Sequence, residues 1–221
     1  MVAYQGMDGP SETKVFDDFL SPDNDLTYGA GTVLVSNFAF VSVNEGSYEW
    51  TIDEPNGIVG VTTDTGDNDN AAFFAGRFQP SLGAVATEWR FKIANADCAV
   101  YCGFTETLAL ATPVMPAEFS SATMTYNGSG GMVGVNYDVD GTTDDFRSVF
   151  GDAGAASSGA TSNGARAGWT VTADRWVIVR AEIDQDGRSR VYVGGDGVQG
   201  DSTEGLYLVE ELADAVTASD Q

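Results

Sequence analysis

Apolar and polar side chains alternate along much of the chain with a period of two. In residues 89–93, Trp89, Phe91 and Ile93 alternate with Arg90 and Lys92. Successive side chains of a strand point to opposite faces, so this pattern predicts a strand with one buried face. The same alternation runs from Val33 and Val35 on to Phe38 and Phe40, and it recurs where Val177, Val179 and Ile183 alternate with Arg180 and Glu182. Long helical periodicity is absent, so an all-β chain is predicted.

Shorter runs of β-branched and aromatic residues predict further strands. They cover residues 48–52, 58–62, 71–78, 99–104, 122–126, 132–139, 145–149, 169–172 and 188–193. Together with the clearest alternations they make about a dozen strands, more than one small open sheet commonly holds. Two packed sheets solve this, because each buries its apolar face against the other. We therefore expect a two-sheet antiparallel sandwich.

Turn residues divide these runs. Residues 184–188 contain Asp186-Gly187, whose glycine supplies the positive φ that a hairpin connection requires. Asn56-Gly57 and Asn127-Gly128 indicate two more turns of the same kind. Residues 151–168 are rich in Gly, Ala and Ser without apolar alternation, which predicts a long surface loop or extended arm.

The predicted organisation is one domain with a further segment at each end. The chain has 221 residues, a length that one large β-sandwich can fill. We expect an extended polar N-terminal arm over residues 1–13, one sandwich domain over 14–213 and a tail over 214–221. Within residues 206–215 the apolar side chains are near helical spacing, so a short helix and an edge strand are both open, and we favour the strand.

The charge is strongly acidic and excludes several partners. Thirty-three Asp and Glu face ten Lys and Arg, which gives a formal net charge of −23. Such a surface repels phosphates, so we expect neither nucleic acid nor an anionic membrane as a partner. No stretch approaches the about 20 apolar residues of a membrane span, and the N-terminus lacks a signal-peptide pattern. These features predict a protein that remains in a cytoplasm until it is released.

The chain contains no histidine, which removes most catalytic and metal sites. Serine and cysteine nucleophiles paired with histidine are excluded, as are nearly all zinc, copper and non-haem iron centres. Cys98 and Cys102 would lie about 13 Å apart on one strand at 3.3 Å per residue, too far for a disulfide. We interpret them as buried thiols. No cofactor and no catalytic residue are predicted.

Two groups of carboxylates are candidates for chemistry. Glu182, Asp184 and Asp186 alternate as in the catalytic strand of some glycoside hydrolases, but Asp186 falls in the predicted hairpin and would point to solvent. Asp138, Asp140 and Asp144 could offer oxygens to calcium, as could residues 64–69. Neither segment has the twelve-residue EF-hand pattern, and solvated turns are the alternative.

The four tryptophans are Trp50, Trp89, Trp169 and Trp176. Two that were exposed side by side could form a sugar-stacking platform. Trp50 and Trp89 lie within predicted strands, which favours core packing, whereas Trp169 follows the predicted loop and is the best candidate for exposure.

Several segments together resemble a known family. They are residues 16–20 (Phe-Asp-Asp-Phe-Leu), 88–93 (Glu-Trp-Arg-Phe-Lys-Ile) leading to Gly103-Phe104, 133–138 (Val-Gly-Val-Asn-Tyr-Asp), 173–187 (Ala-Asp-Arg-Trp-Val-Ile-Val-Arg-Ala-Glu-Ile-Asp-Gln-Asp-Gly) and 191–195 (Val-Tyr-Val-Gly-Gly). Over about residues 15–212 the chain resembles the concanavalin A-like or laminin-G-like jelly-roll domains of tailed-phage virion proteins. The resemblance implies an all-β, two-sheet antiparallel jelly-roll sandwich with extended termini.

The resemblance also implies a role. Such domains look like head decoration or cement proteins, which bind the major capsid protein, commonly as homotrimers, and stabilise the phage head. We accordingly expect a structural virion protein, not an enzyme, located on the capsid surface after assembly in the host cytoplasm. The alternative is a carbohydrate-binding, lectin-like module or adhesin, with a glycan as partner and calcium as an aid, because related sandwiches serve several functions.

Overall fold

The computed structural model describes residues 31–35, 38–42, 47–51, 58–63, 70–74, 78–94, 97–106, 113–195 and 205–216, with the backbone alone for residues up to 59 and for Trp169. The predicted arm 1–13 and residues 217–221 of the predicted tail lie outside these ranges. Contacts divide the chain into two compact units, Met1–Arg77 with Leu108–Val114, and Phe78–Thr107 with Met115–Gln221. The single domain predicted over residues 14–213 stays a prediction.

The described strands of the first unit form two small antiparallel sheets. Their bounds are β1 Gly31–Val35, β2 Phe38–Ser42, β3 Ser47–Thr51, β4 Ile58–Thr62 and β5 Ala71–Phe74. The sheet orders are β1-β2-β5 and β3-β4. The alternation from Val33 to Phe40 does not continue along one strand, because Val35 pairs with Phe38 across an antiparallel ladder.

The second unit contains the larger sheets. Its strands are β6 Val85–Lys92, β7 Ala99–Thr105, β8 Ala117–Ser120, β9 Thr123–Tyr126, β10 Met132–Asp138, β11 Asp145–Asp152, β12 Ala155–Ala156, β13 Arg166–Thr170, β14 Trp176–Ile183, β15 Ser189–Gly194 and β16 Leu206–Leu212. One sheet has the order β16-β15-β14-β6, and the other has β12-β11-β10-β7 with β13 also on β11. Strands β8 and β9 form a separate hairpin.

The main core lies between these two sheets. Alternate side chains of β14 point inward, and Val177, Val179, Ala181 and Ile183 are at most 2% exposed. They pack against apolar side chains of β10, β11 and β15 in one cluster. Because burial of apolar area is the main favourable term in folding, this interface holds the sheets together. The prediction of an all-β protein with antiparallel sheets, consistent with a β-sandwich, is confirmed.

Strand β10 is buried on both faces. Val133, Val135 and Tyr137 face the main core, whereas Met132 and the alternate positions face a second cluster beneath the β8–β9 hairpin. The ring of Tyr101 fills the space beside Gly134, where an added Cβ would lie 2.9 Å from its hydroxyl. The β8–β9 hairpin is thus a third layer on one sheet.

The predicted hairpin at residues 184–188 is confirmed. Ile183 pairs with Ser189, and Gly187 has a φ of 81°. Asp184 stabilises the connection, since its Oδ1 accepts hydrogen bonds from the N–H groups of Asp186 at 3.0 Å and Arg188 at 2.9 Å.

Residues 151–168 are not one long loop. They contain the end of β11, all of β12 and the start of β13, with both later strands paired to β11. Ser157 donates its hydroxyl to the carbonyl of Ala215 at 2.6 Å, and Ala160 packs against the main core. The apolar pattern did not predict these strands, because their side chains are small and the segment is held by backbone and hydroxyl hydrogen bonds.

The chain end also packs more closely than predicted. Residues 206–212 form an edge strand, as we favoured. Beyond it, Ala215 and Val216 of the predicted tail are 1% and 5% exposed and belong to the main core. No helix within the described residues is long and apolar enough to cross a membrane.

Candidate functional site

The outward-facing side of the sheet β16-β15-β14-β6, here called the outer face, is the candidate site. On β14, the residues that alternate with the buried positions are Trp176, Ile178, Arg180 and Glu182, all partly exposed. Facing outward beside them are Glu88, Arg90 and Lys92 of β6, Arg190 and Tyr192 of β15, and Leu208 and Glu211 of β16. The sheet register places these side chains in rows across the four strands.

The register combines apolar and charged groups on this face. One row runs from Leu208 through Tyr192 and Arg180 to Glu88. Leu208 is 53% exposed on this face. Since β16 is the edge strand of its sheet, the row ends in an apolar side chain that a partner can cover.

The outer face differs in charge from the rest of the chain. Its four basic side chains, Arg90, Lys92, Arg180 and Arg190, accompany three acidic ones, Glu88, Glu182 and Glu211, for a net charge of +1. Subtracting this +1 from −23 leaves −24 on the remaining residues. A partner that meets this face therefore avoids the repulsion that the acidic body exerts on anionic surfaces.

Ion pairs fix most of these charged groups. Arg180 donates from Nε to Glu182 at 2.7 Å and from an Nη atom to Glu88 at 3.3 Å. The hydrogen bond that Arg180 donates to Glu182 is the main reason that the pKa of Arg180 is raised. Tyr192 donates its hydroxyl to the second oxygen of Glu182 at 3.3 Å. This network orients Arg180 and Tyr192 relative to each other.

A second network lies at the hairpin end of the face. Glu211 accepts from Arg190 and from Arg188, each at 2.6 Å. Hydrogen bonds from Arg190 and then Arg188 lower the pKa of the Glu211 carboxyl. Because these groups are solvated, such pairs contribute little to stability, and their effect is to hold the side chains in position.

Trp176 lies at the opposite end of the face, under two cations. The guanidinium carbon of Arg90 is 4.7 Å from the centre of its ring, and the Lys92 nitrogen is 5.6 Å from it. Both distances fit cation–π attraction. Trp89, by contrast, shares the inward-facing positions of β6 with Phe91, which packs against the main core. The structure describes only the backbone of Trp50 and Trp169.

The alternating carboxylates 182–186 are not brought together for catalysis. Glu182 is engaged with Arg180 and Tyr192, and Asp184 holds the hairpin. Asp186 is exposed in the turn, as its position in the sequence predicted. Glu182 and Asp184 therefore hold neighbouring groups in position at the end of one strand, whereas the Asp186 side chain is exposed in the turn.

The three calcium candidates differ in burial and in their contacts. Asp138 is 5% exposed, and its oxygens accept from the N–H groups of Phe119 at 2.6 Å and Asp140 at 2.9 Å. Asp140 and Asp144 are exposed. Among the described residues, no group of three or more Cys, Asp or Glu could hold a metal ion. Residues 64–69, the other calcium candidate, lie outside the described ranges.

The two cysteines are free and partly buried. Burial is the main cause that raises the pKa of Cys98 to about 11 and that of Cys102 to about 12. Both groups therefore remain neutral thiols near neutral pH, which is the chemistry expected of core cysteines.

Sequence reasoning did not identify the outer face as a site. The signal was present in the alternation at residues 88–92 and 176–182, where Arg, Lys and Glu alternate with buried apolar side chains, but only the strand register brings the two segments together. No family model matches the chain, and no curated protein and no solved structure matches it at a significant level.

Proposed function

We propose that the protein is a structural virion protein, a capsid decoration protein that binds the major capsid protein and stabilises the head. The observation that carries the proposal is the outer face, a rigid sheet surface with Trp, Tyr and Arg side chains on an otherwise acidic body. These three residue types dominate the binding energy of protein interfaces. The jelly-roll topology and the assembly into homotrimers belong to the same proposal.

The contacts of the face support docking to a protein. Arg180, Arg190 and Tyr192 are already oriented by Glu88, Glu182 and Glu211, so little side-chain entropy is lost on binding. Leu208 and Ile178 supply apolar area beside them. The strands beneath are fixed by the main core, which keeps the surface rigid.

The assignment to a virion and to the capsid surface is based on the family resemblance. A decoration protein must contact a neighbouring protein over a broad surface without performing chemistry. On this proposal, the location is the capsid surface, reached by assembly in the host cytoplasm.

The first experiment measures whether the protein is part of the particle. Quantitative mass spectrometry of purified virions should find it in hundreds of copies per head, in a fixed ratio to the major capsid protein. Its absence from virion peptides would refute the proposed function, whatever surface is involved.

The second experiment tests the surface. Purified wild-type protein and the double variant R90Q/K92Q, which lowers the net charge by two, are mixed with heads assembled from the major capsid protein of the same virus, and bound protein is measured by co-sedimentation. We expect the variant to lose at least tenfold in affinity. Its control is T123E/T125E, which places two acidic charges on exposed positions of the β8–β9 hairpin, on the other sheet. Equal loss in both variants would show general repulsion and contradict the role of the outer face.

A glycan is the second candidate ligand, favoured by one observation. Trp176 and Tyr192 are outward-facing aromatic side chains on one sheet, and sugars stack on such rings. The Arg90 guanidinium over Trp176 competes for that ring. A glycan array with and without calcium should show binding that W176A abolishes if this function holds, and an array without binding at high protein concentration contradicts it.

A further inference from the structure

Two buried polar atoms of opposite hydrogen-bonding character lie beneath the β8–β9 hairpin. Asn136 on β10 and Arg147 on β11 occupy directly opposed positions of the ladder. Neither Oδ1 of Asn136 nor Nε of Arg147 has a hydrogen-bond partner among the described residues, and Asn136 is 0% exposed. One atom can only accept and the other can only donate. The Cβ atoms of directly opposed residues lie about 5 Å apart, so both side chains border the same small space.

The orientation of Asn136 is fixed by the hairpin. Its Nδ2 donates to the carbonyl of Ala117, a group that can only accept. A flipped amide would place two acceptors against each other. Oδ1 must therefore remain on the side away from Ala117, where it lacks a partner from the described residues.

Arg147 is held just as firmly. One Nη atom donates to the carbonyl of Asn163 at 3.2 Å, and the other donates to the Thr143 hydroxyl at 2.9 Å. The guanidinium lies 5.1 Å from the centre of the Phe119 ring. With both ends of the fork engaged, Nε cannot turn toward bulk water without breaking these contacts.

We propose that one ordered water molecule binds between Asn136 and Arg147, donating to Oδ1 and accepting from Nε. A buried acceptor or donor that lacks a partner is costly, and native proteins satisfy nearly all such groups. Water is the smallest ligand that supplies a donor and an acceptor together, and buried waters make about three hydrogen bonds to polar groups of this kind. The water is a structural ligand of the hairpin layer, exchanging only when the hairpin lifts.

The experiment observes the Arg147 Nε–H directly in solution. In ¹⁵N-edited NOESY and ROESY spectra of the full chain, this proton should show water cross-peaks of opposite sign, the signature of a long-lived bound water. The internal control is Arg166, whose Nε contacts the Asp145 carboxylate directly at 2.5 Å and should show no such pair of peaks. Absence of the peaks at Arg147 overturns the proposal.

A variant and a crystal structure complete the test. N136L removes the acceptor and should abolish the cross-peaks while the remaining amide spectrum keeps its dispersion. Unchanged cross-peaks in folded N136L overturn the bridge. If N136L does not fold, a high-resolution crystal structure of the wild type decides: a density peak within about 3.2 Å of both atoms supports the site, and a direct contact between Oδ1 and Nε overturns it.

Discussion

Replacing Asp138 by alanine should weaken the attachment of the β8–β9 hairpin to the sheet that supports it. The change removes an acceptor from the buried N–H of Phe119 at 2.6 Å, and a bond of this charged kind contributes about 1.5–3 kcal/mol. It also removes the acceptor for the Asp140 N–H at 2.9 Å, which lies in a solvated turn and adds about 0.5–1 kcal/mol. The sum is about 3 kcal/mol, which lowers the Tm of a chain of this size by about 6–12 °C.

Urea denaturation and calorimetry measure this loss, with D140A as the matched control. Asp140 contributes only its N–H to the contact, so D140A should stay within about 0.5 kcal/mol of the wild type. Calcium is then added to each protein. A D138A variant as stable as the wild type refutes the structural role of the carboxylate. A calcium-dependent rise in the wild-type Tm that D138A lacks would instead assign Asp138 to a metal site.

Further predictions concern the glycines and the thiols. G134A should destabilise the fold by about 3 kcal/mol or more, because its Cβ would lie 2.4 Å from the Cys102 carbonyl, whereas G83A meets nothing within 4 Å and should be near neutral in chemical denaturation. G187A should cost about 1 kcal/mol, since φ is 81° there, and a loss below 0.3 kcal/mol would contradict the strained turn. Burial raises the pKa of Cys98 to about 11 and that of Cys102 to about 12, so these thiols ionise first in the unfolded chain. The free energy of unfolding should therefore be constant below pH 9 and fall as the pH rises from 9 to 11–12. A double variant, C98A/C102A, should therefore show a weaker loss of unfolding free energy over that range.

The strands with one buried face were predictable from the sequence, and the doubly buried ones were less so. At residues 176–183 the period of two gives both the strand and its inward side, and the Asp186-Gly187 turn fixes where the chain reverses. On β10 every residue is buried, so no alternation indicates which side faces which layer. Which side of β10 faces which layer depends on the contacts of Gly134 and of the β8–β9 hairpin, and these contacts join residues distant in sequence.

The candidate site was harder to predict than the fold. Acidic residues in this chain are so numerous that Asp138 looks like other turn carboxylates, and only its contact with Phe119, nineteen residues earlier, shows its structural role. The outer face likewise depends on pairing β6 with β14, since Lys92 meets Trp176 across the ladder. A sequence pattern shows only local periodicity, whereas these sites form where the pairing register brings residues of different strands together.

The uneven charge of the chain also determines how it would attach to a solid support. On an aminated sensor surface, the other described residues of the second unit are attracted, because they carry thirteen acidic and four basic side chains, whereas the outer face with its +1 is not. A second unit adsorbed in this way should come to rest with Trp176 and Leu208 toward the solution. A simple cationic coating would thus leave the proposed docking surface open to a flowing partner.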